Sequence, residues 1–424
     1  MTMTAATKPL AAAVQTEMDA YIKSVSSQLR DLNKAASLKA RQTKTYIIYN
    51  NPELAYQEHG AHEALCTFLE SQGCQVTRHA YGLQTSFEAV SGSGGRLVNF
   101  NCEYDALPDI GHACGHNLIA TASVTAFLAL SYALNKFGIE GRVQLLGTPA
   151  EEAGGGKEDL LKAGAFQNVD VSLMMHPMSD AKHKDQGVLA LAGMKTAARY
   201  DMKCIFRGVS AHAGATPWEG VNALDALVAT YNNVALLRQQ IEPEQRIHSA
   251  VADAPKITNA IPAATATLYT VRSPTVAGAR KLGDRVRKCM EAGALATGCS
   301  LEIEDLVMYA DLRNNETLGR SFGGHMGAQG LHTIPTPPEV MSGSTDQGNV
   351  SYAVPALHAI VGIPVTDGSN NHTPGFTAAA GTQVAHERTI VSGKALAMVG
   401  WDVITNDALY AQAVEEFEKD KLLR

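Results

Sequence analysis

Cys114 and His116 sit two positions apart on a turn loosened by Gly115, and Glu103, Asp105 and His112 crowd the residues just before them. A thiolate and an imidazole facing one cavity suit a metal ion, zinc in particular. Two ligands do not complete a site, so further donors must come from elsewhere in the chain. The apolar run Val143 to Leu146 reads as a buried strand that leads through Thr148-Pro149-Ala150 to the carboxylate pair Glu151-Glu152. A second apolar run, Val171 to Met175, delivers His176 just ahead of Pro177, which stops a strand ladder. Asn370-Asn371-His372-Thr373-Pro374-Gly375-Phe376 offers one more His in a turn-rich setting. Taken singly, a buried Cys is most often a small apolar filler, and a loop His is most often a satisfied one. Their joint pattern makes Cys114, His116, Glu152, His176 and His372 the candidate ligand set, with Glu151 left over. Open α/β sheets place chemistry at strand ends of this kind.

These side chains need elements to carry them. Met18, Ile22, Val25, Leu29 and Leu32 recur at helical spacing, so two consecutive helices are expected from Thr16 to about Asn50. Asn50-Asn51-Pro52-Glu53 breaks that pattern, and a helix resumes over Glu58 to Ser71 with Ala61, Leu65, Phe68 and Leu69 on one face. Gly92 to Gly95 is a hairpin-like break before the strand Arg96 to Cys102, which feeds the Cys/His loop. Ile119 to Phe137 is small and apolar on most sides, as expected of a helix buried against a sheet, and Glu158 to Ala163 starts another. The alternation of strand and helix predicts an α/β domain with a mainly parallel sheet.

From about Gly187 to Met308 the pattern changes: strand 196–206, helix 222–239, strands 247–252 and 264–271, helix 277–296, strand 301–307. That order suits an inserted α+β domain of the split βαβ, ferredoxin-like type. The organisation predicted is a disordered lead-in at 1–14, a catalytic domain over 15–186 and 309–424, and an insert over 187–308.

Composition bounds the function. A chain of 424 residues exceeds one ordinary domain, and a hydrophobic fraction of 45% supports large cores. A net charge of −7 with no basic stripe argues against nucleic acid as a partner. No stretch of eighteen uninterrupted apolar residues occurs, so a membrane span is not expected. Seven cysteines without regular spacing and the lack of a signal-like N-terminus predict reduced thiols and a cytoplasmic setting. Gly154-Gly155-Gly156-Lys157 fails as a phosphate loop, because Glu151 stands where its first Gly is required and no Ser or Thr follows Lys157.

Taken together, the segments 103–108, 111–117, 146–154, 171–177 and 370–376 resemble the aminoacylase/carboxypeptidase family of zinc metallopeptidases. The similarity covers nearly the whole chain. It falls in the branch with auxin-conjugate hydrolases, closest to the p-aminobenzoyl-glutamate hydrolase and β-alanyl-lysine dipeptidase type. The resemblance implies a di-zinc site in which Cys114 bridges, His116 and His176 complete one metal site, and Glu152 and His372 complete the other. It makes Glu151 the general acid/base and Asp105 the group that orients the cluster without touching metal, while Glu103 stands where other branches carry a ligand His. Two close divalent ions acidify a shared water and polarise the amide carbonyl that it attacks, and a neighbouring carboxylate can carry the proton. Soft Cys114 favours zinc, although a His- and carboxylate-rich site also takes manganese or cobalt.

The resemblance also implies that the insert mediates a homodimer. Within it, His212, in Gly208-Val209-Ser210-Ala211-His212-Ala213-Gly214, would stabilise the oxyanion or the substrate carboxylate, often in the partner subunit's site. Asn259 and Arg272 match positions linked to carboxylate binding, for which a guanidinium fork is suited. Arg272 can equally be a charge on an edge strand, and Asn259 a turn residue before Pro262. Ser342 to Asn349 is either a wall of the substrate pocket or a plain Gly/Ser-rich loop. His112 is expected behind the metal loop, and His59, His79, His183, His248 and His386 show no ligand spacing. The activity expected is a metal-dependent amidohydrolase or dipeptidase acting on a dipeptide or N-acyl amino acid. An amide-forming biosynthetic enzyme or a non-catalytic binding subunit stands as the alternative.

Overall fold

A computed structural model describes residues 7–33, 48–180, 187–366 and 368–423. Two compact units emerge, one from Met1–Lys195, Arg313–Glu339 and Asn349–Leu423, the other from Thr196–Leu312 and Val340–Gly348. In chain order the first stretch holds α1 (Thr7–Asn33), α2 (His59–Ser71), β1 (Val76–Arg78), β2 (Phe87–Ser93), β3 (Leu97–Cys102), α3 (His116–Phe137), β4 (Gly141–Gly147), α4 (Gly156–Lys162), β5 (Val171–Ser179) and β6 (Val188–Leu191). The second unit holds β8 (Ala198–Arg207), which follows the short β7 (Lys195–Thr196), then α5 (Ala223–Leu237), β9 (Arg246–Asp253), β10 (Ala264–Ser273), α6 (Val276–Thr297) and β11 (Ser300–Tyr309). The chain ends through α7 (Glu316–Ala328), β12 (His332–Ile334), β13 (Val340–Met341), α8 (Gln347–Ala353), β14 (Ala356–Ile363), α9 (Pro374–Ala380), α10 (Gln383–Thr405) and α11 (Asp407–Lys421).

The first unit is built on an eight-stranded sheet of order β1-β2-β4-β3-β5-β14-β6-β12. Its centre is parallel: β4, β3, β5 and β14 run the same way, with Cys102 opposite Gly147 and Ile360 opposite His176. All residues of β3 are buried, as a strand covered on both faces requires. Asn99 is satisfied laterally: it donates to Gln144 at 2.9 Å and accepts from Ser172 at 2.7 Å. Parallel alignment matters for chemistry because it brings the chain segments that leave β3 and β4, and the end of β5, to one edge of the sheet.

Several expectations change. Gly92 to Gly95 does not close a hairpin, because β4 lies between β2 and β3 and pairs with both. The first helix begins at Thr7, inside the stretch 1–14 read as a disordered lead-in; the second helix expected before Asn50 falls mostly on 34–47, outside the described residues. The second unit begins at Thr196 rather than 187, since β6 pairs with β14 and β12 in the large sheet. α3 is long and apolar enough to cross a membrane by length and composition, yet 89% of its apolar window is buried. It packs against α10, α1 and the strands behind it, so it is the core helix of this unit.

The second unit is a four-stranded antiparallel sheet of order β11-β8-β10-β9. Met202, Cys204, Phe206, Tyr269 and Val271 from the sheet meet Ala226, Val234, Leu282, Val286 and Met290 from α5 and α6 in one apolar core. Strand order and two helices on one face give the split βαβ arrangement.

Candidate metal centre

The donors converge at the edge where β3, β4 and β5 end. Gly115 makes the first approach possible. It has φ +81, and a Cβ there would lie 2.5 Å from Pro177 Cγ, so only Gly lets the Cys114–His116 turn pass this close to the end of β5. His116 then opens α3, fully buried, with its ring pointed at the carboxylates that follow β3 and β4.

Cys114, His116 and His176 each offer a donor atom within 4.8 Å of the others, and so do Cys114, Glu152 and His372. Cys114 belongs to both groups. A third group joins His116, Glu151 and Glu152. Cys114 Sγ stands 3.4 Å from His176 Nε2, His372 Nε2 3.6 Å from Glu152 Oε1, and His116 Nε2 3.8 Å from Glu152 Oε1 and 3.9 Å from Glu151 Oε2. Two donors on one tetrahedral ion at about 2.1–2.3 Å are roughly 3.4–3.8 Å apart, so these spacings leave room for metal. His116 Nε2 and Glu152 Oε1 are buried atoms without a hydrogen-bond partner, a costly condition unless they face an ion. A dinuclear metal group fits this donor set.

Other atoms fix the donors. His176 Nδ1 donates to the Pro177 carbonyl at 2.8 Å, leaving Nε2 toward Cys114; burial, then the nearby His116, pushes the His176 ring down to about 4 and keeps it neutral. His116 Nδ1 donates to Asp105 Oδ1 at 2.8 Å, and the backbone N–H of Glu152 donates to Asp105 Oδ2 at 2.9 Å. Burial alone would raise the Asp105 carboxyl, but the His116 ring overcomes it and holds it below the usual carboxylate range. His372 donates its backbone N–H to Ala113 at 2.8 Å, and Asn371 Nδ2 donates to the carbonyls of Pro177 at 3.1 Å and Cys114 at 3.4 Å. His112 is tied to the Ile48 carbonyl at 2.9 Å behind this loop.

Some participants escaped the sequence reading. Lys157, set aside with the failed phosphate loop, is fully buried and its Nζ lies 2.5 Å from Glu103 Oε1. Glu103 Oε2 in turn lies 3.5 Å from His116 Nε2, so four carboxylates, Glu103, Asp105, Glu151 and Glu152, surround one imidazole. That excess of negative charge suits divalent cations. His358 on β14 stands behind His176, with ring centroids 5.6 Å apart. The signals were present as a lysine after three glycines and a histidine inside an apolar strand, but neither has ligand spacing. His386 contacts Asn33 and His79 stacks on His62, while His183 lies outside the described residues.

The remaining predicted residues belong to the second unit. His212 lies in the loop after β8, and its Nδ1 accepts from the backbone N–H groups of Gly214 at 3.2 Å and Ala215 at 3.1 Å. Asn259 holds the same loop through its carbonyl, which accepts from Ala213 at 3.1 Å. Arg272, half-way across the sheet on β10, donates to the Ser342 carbonyl at 3.0 Å and to Ser344 Oγ at 2.8 Å. It lines a cavity of about 250 Å³ with Arg246, Glu244, Pro274 and Met341.

Comparison with known proteins gives consistent matches. The family model described as Peptidase family M20/M25/M40 matches residues 100–386. A Mus musculus protein named Xaa-Arg dipeptidase is 40% identical over 386 residues, covering 88% of this chain and 87% of its own. A p-aminobenzoyl-glutamate hydrolase chain of Escherichia coli K12 is 26% identical over 452 residues, covering 88% of this chain and 90% of its own. Among solved structures, a Bacillus subtilis protein described as a dinuclear metal binding peptidase from the M20 family superposes with a TM-score of 0.60 at 18% identity, covering 90% of this chain and 99% of that one.

Proposed function

We propose that this chain, which belongs to peptidase family M20/M25/M40, binds two divalent metal ions across Cys114 and cleaves dipeptides with Glu151 as general base. It is a hydrolase acting on amide bonds. The observation that carries the rest is that Cys114 belongs to two donor groups, one with His116 and His176, the other with Glu152 and His372. Cys114 would take part in holding both ions, with His116 and His176 on one side and Glu152 and His372 on the other. Zinc is the metal proposed, because the shared donor is sulfur; manganese or cobalt would tolerate the His and carboxylate donors. When bound, the metal pair would supply a water acidified toward neutrality and polarise the scissile carbonyl.

The chain's own residues do the rest. Glu151, adjacent to the ligand Glu152 and buried at 7% exposure, takes the water proton and returns it to the leaving amine. Asp105 keeps the His116 ring and the Glu152 backbone in register. His212, Asn259 and Arg272 are proposed to receive the substrate's oxyanion and carboxylate. The name of the mouse relative makes a dipeptide ending in Arg the substrate proposed. A homodimer through the second unit is proposed on the edge strand β9 and the exposed Val228, Tyr231 and Leu236 of α5. A cytoplasmic location is proposed on seven cysteines that are all unpaired.

The test is hydrolysis of a dipeptide panel ending in Arg, Lys, Leu or Glu, alongside p-aminobenzoyl-glutamate, by zinc-loaded protein with released amino acids read by mass spectrometry. Cleavage led by the Arg-ending dipeptides is expected. Protein that holds two metals and cleaves none of them would overturn the reading.

A further inference from the structure

The turn from β4 to α4 carries both Glu151 and Glu152, and the residue that opens it is strained. Ala150 has φ +62, a left-handed conformation that a residue with a Cβ adopts only when its surroundings hold it there. Its carbonyl accepts from Gly155 at 2.9 Å, which closes the turn from one side. On the other side its N–H donates at 2.9 Å to Glu58 Oε1.

Glu58 is fully buried and occupies the N-cap position of α2, yet its side chain makes no cap hydrogen bond to that helix. Its Oε1 instead receives the N–H groups of Ala150 and of Tyr56, the latter at 3.0 Å. The segment behind it is anchored to the metal loop and to the turn. Ala106 donates to the Glu53 carbonyl at 2.8 Å, and Tyr56 Oη donates to Asp159 Oδ2 on α4 at 2.7 Å. A Cβ on Gly154 would lie 2.3 Å from the Tyr56 ring, so ring and turn are in direct contact. A carboxylate spent on a strained N–H beside the acid pair, rather than on its own helix, is an arrangement that packing alone does not require.

We propose that Glu58 is a positioning residue for the reaction: by clamping the Ala150 N–H it holds the left-handed kink that turns Glu151 and Glu152 into the metal site. The proposal rests on the roles assigned above to those two glutamates. Glu58 is in none of the donor groups and acts on the acid pair through the Ala150 N–H.

The test measures kcat, KM and zinc affinity by a competing chromophoric chelator for Glu58→Leu, Glu58→Asp and Glu58→Gln, with Glu58→Leu repeated in an Ala150→Gly background. Glu58→Leu is expected to lower kcat at least tenfold with little change in KM and to weaken zinc binding through Glu152. Glu58→Asp, one methylene too short to reach Ala150, gives the same loss, and its retained acid makes it the informative variant should Glu58→Leu not fold. Glu58→Gln keeps the accepting oxygen and most of the activity. Glycine takes positive φ without penalty, so the cost of Glu58→Leu shrinks in the Ala150→Gly background. Unchanged kcat in Glu58→Leu and Glu58→Asp, or the same cost in both backgrounds, would overturn the proposal. If the wild type cleaved nothing, the zinc affinities of these variants would still decide it, so the clamp and the catalytic reading fail separately.

Discussion

Asp105 binds His116 and Glu152 at once, taking the imidazole Nδ1–H on one carboxylate oxygen and the Glu152 backbone N–H on the other, at 2.8 and 2.9 Å. A single carboxylate therefore sets the ring of one donor and the backbone of another. Asparagine offers one accepting oxygen, so Asp105→Asn breaks one of the two bonds. Zinc affinity should fall about 10- to 100-fold, read by chelator competition. Affinity equal to wild type would remove Asp105 from the site's support.

Metal uptake should release protons. Burial, then the charge of Glu152, pushes the Cys114 thiol well up. Burial opposes charge on His116, but the Asp105 carboxylate overcomes it and holds the ring protonated well above the ordinary imidazole value. Ligation requires a thiolate and a neutral ring, so both protons leave on binding and affinity rises with pH through the neutral range. Titration calorimetry in buffers of different ionisation enthalpy should show that release; a binding heat independent of buffer would contradict it.

Gly115→Ala places a methyl 2.5 Å from Pro177 Cγ at a φ of +81. Left-handed backbone alone costs roughly 1–2 kcal/mol for an alanine. The contact with Pro177 separates Cys114 from His176 as well. The expected result is a lower unfolding midpoint together with reduced zinc content. A variant with full zinc content would show that the loop tolerates the methyl.

Lys157 and Glu103 form an ion pair with almost no exposed surface. Removing one member of such a pair leaves a charge buried and costs about 3–5 kcal/mol. Lys157→Met should lose stability of that order in urea unfolding, and adding Glu103→Gln should restore part of it. Equal stability of the single and double variants would mean that the pair does not balance charge.

The fold was legible where local pattern decides structure. Val143 to Leu146 and Val171 to Met175 are apolar runs that form β4 and β5, and the six elements of the second unit follow their periodicity closely. Strand order was not legible: that β4 enters between β2 and β3 depends on pairing over long sequence separations, which periodicity does not encode. That Cys114, His116, Glu152, His176 and His372 come together was readable from the turns around Cys114, His116 and His372 and from the end of β4 before Glu152. His176 instead lies inside β5, which continues past Pro177 to Ser179 rather than stopping there. Lys157, Glu58 and Asn371 were not readable, since each gains its meaning from a partner far away in the chain: Glu103, Ala150 and Pro177. The strain at Ala150 is likewise invisible in a residue type that is ordinary in helices and loops alike.

The central claim is that Glu151 moves the proton while Glu152 holds metal. Glu151→Gln keeps the size and most of the polarity of the side chain and removes only the base. The decisive measurement is the turnover of an Arg-ending dipeptide by wild type and Glu151→Gln at matched metal content, with bound zinc counted by native mass spectrometry. The account predicts two zinc ions per chain in both proteins and a loss of about 10²- to 10⁴-fold in kcat for the variant. A Glu151→Gln protein that binds two zinc ions and turns over at the wild-type rate would contradict it.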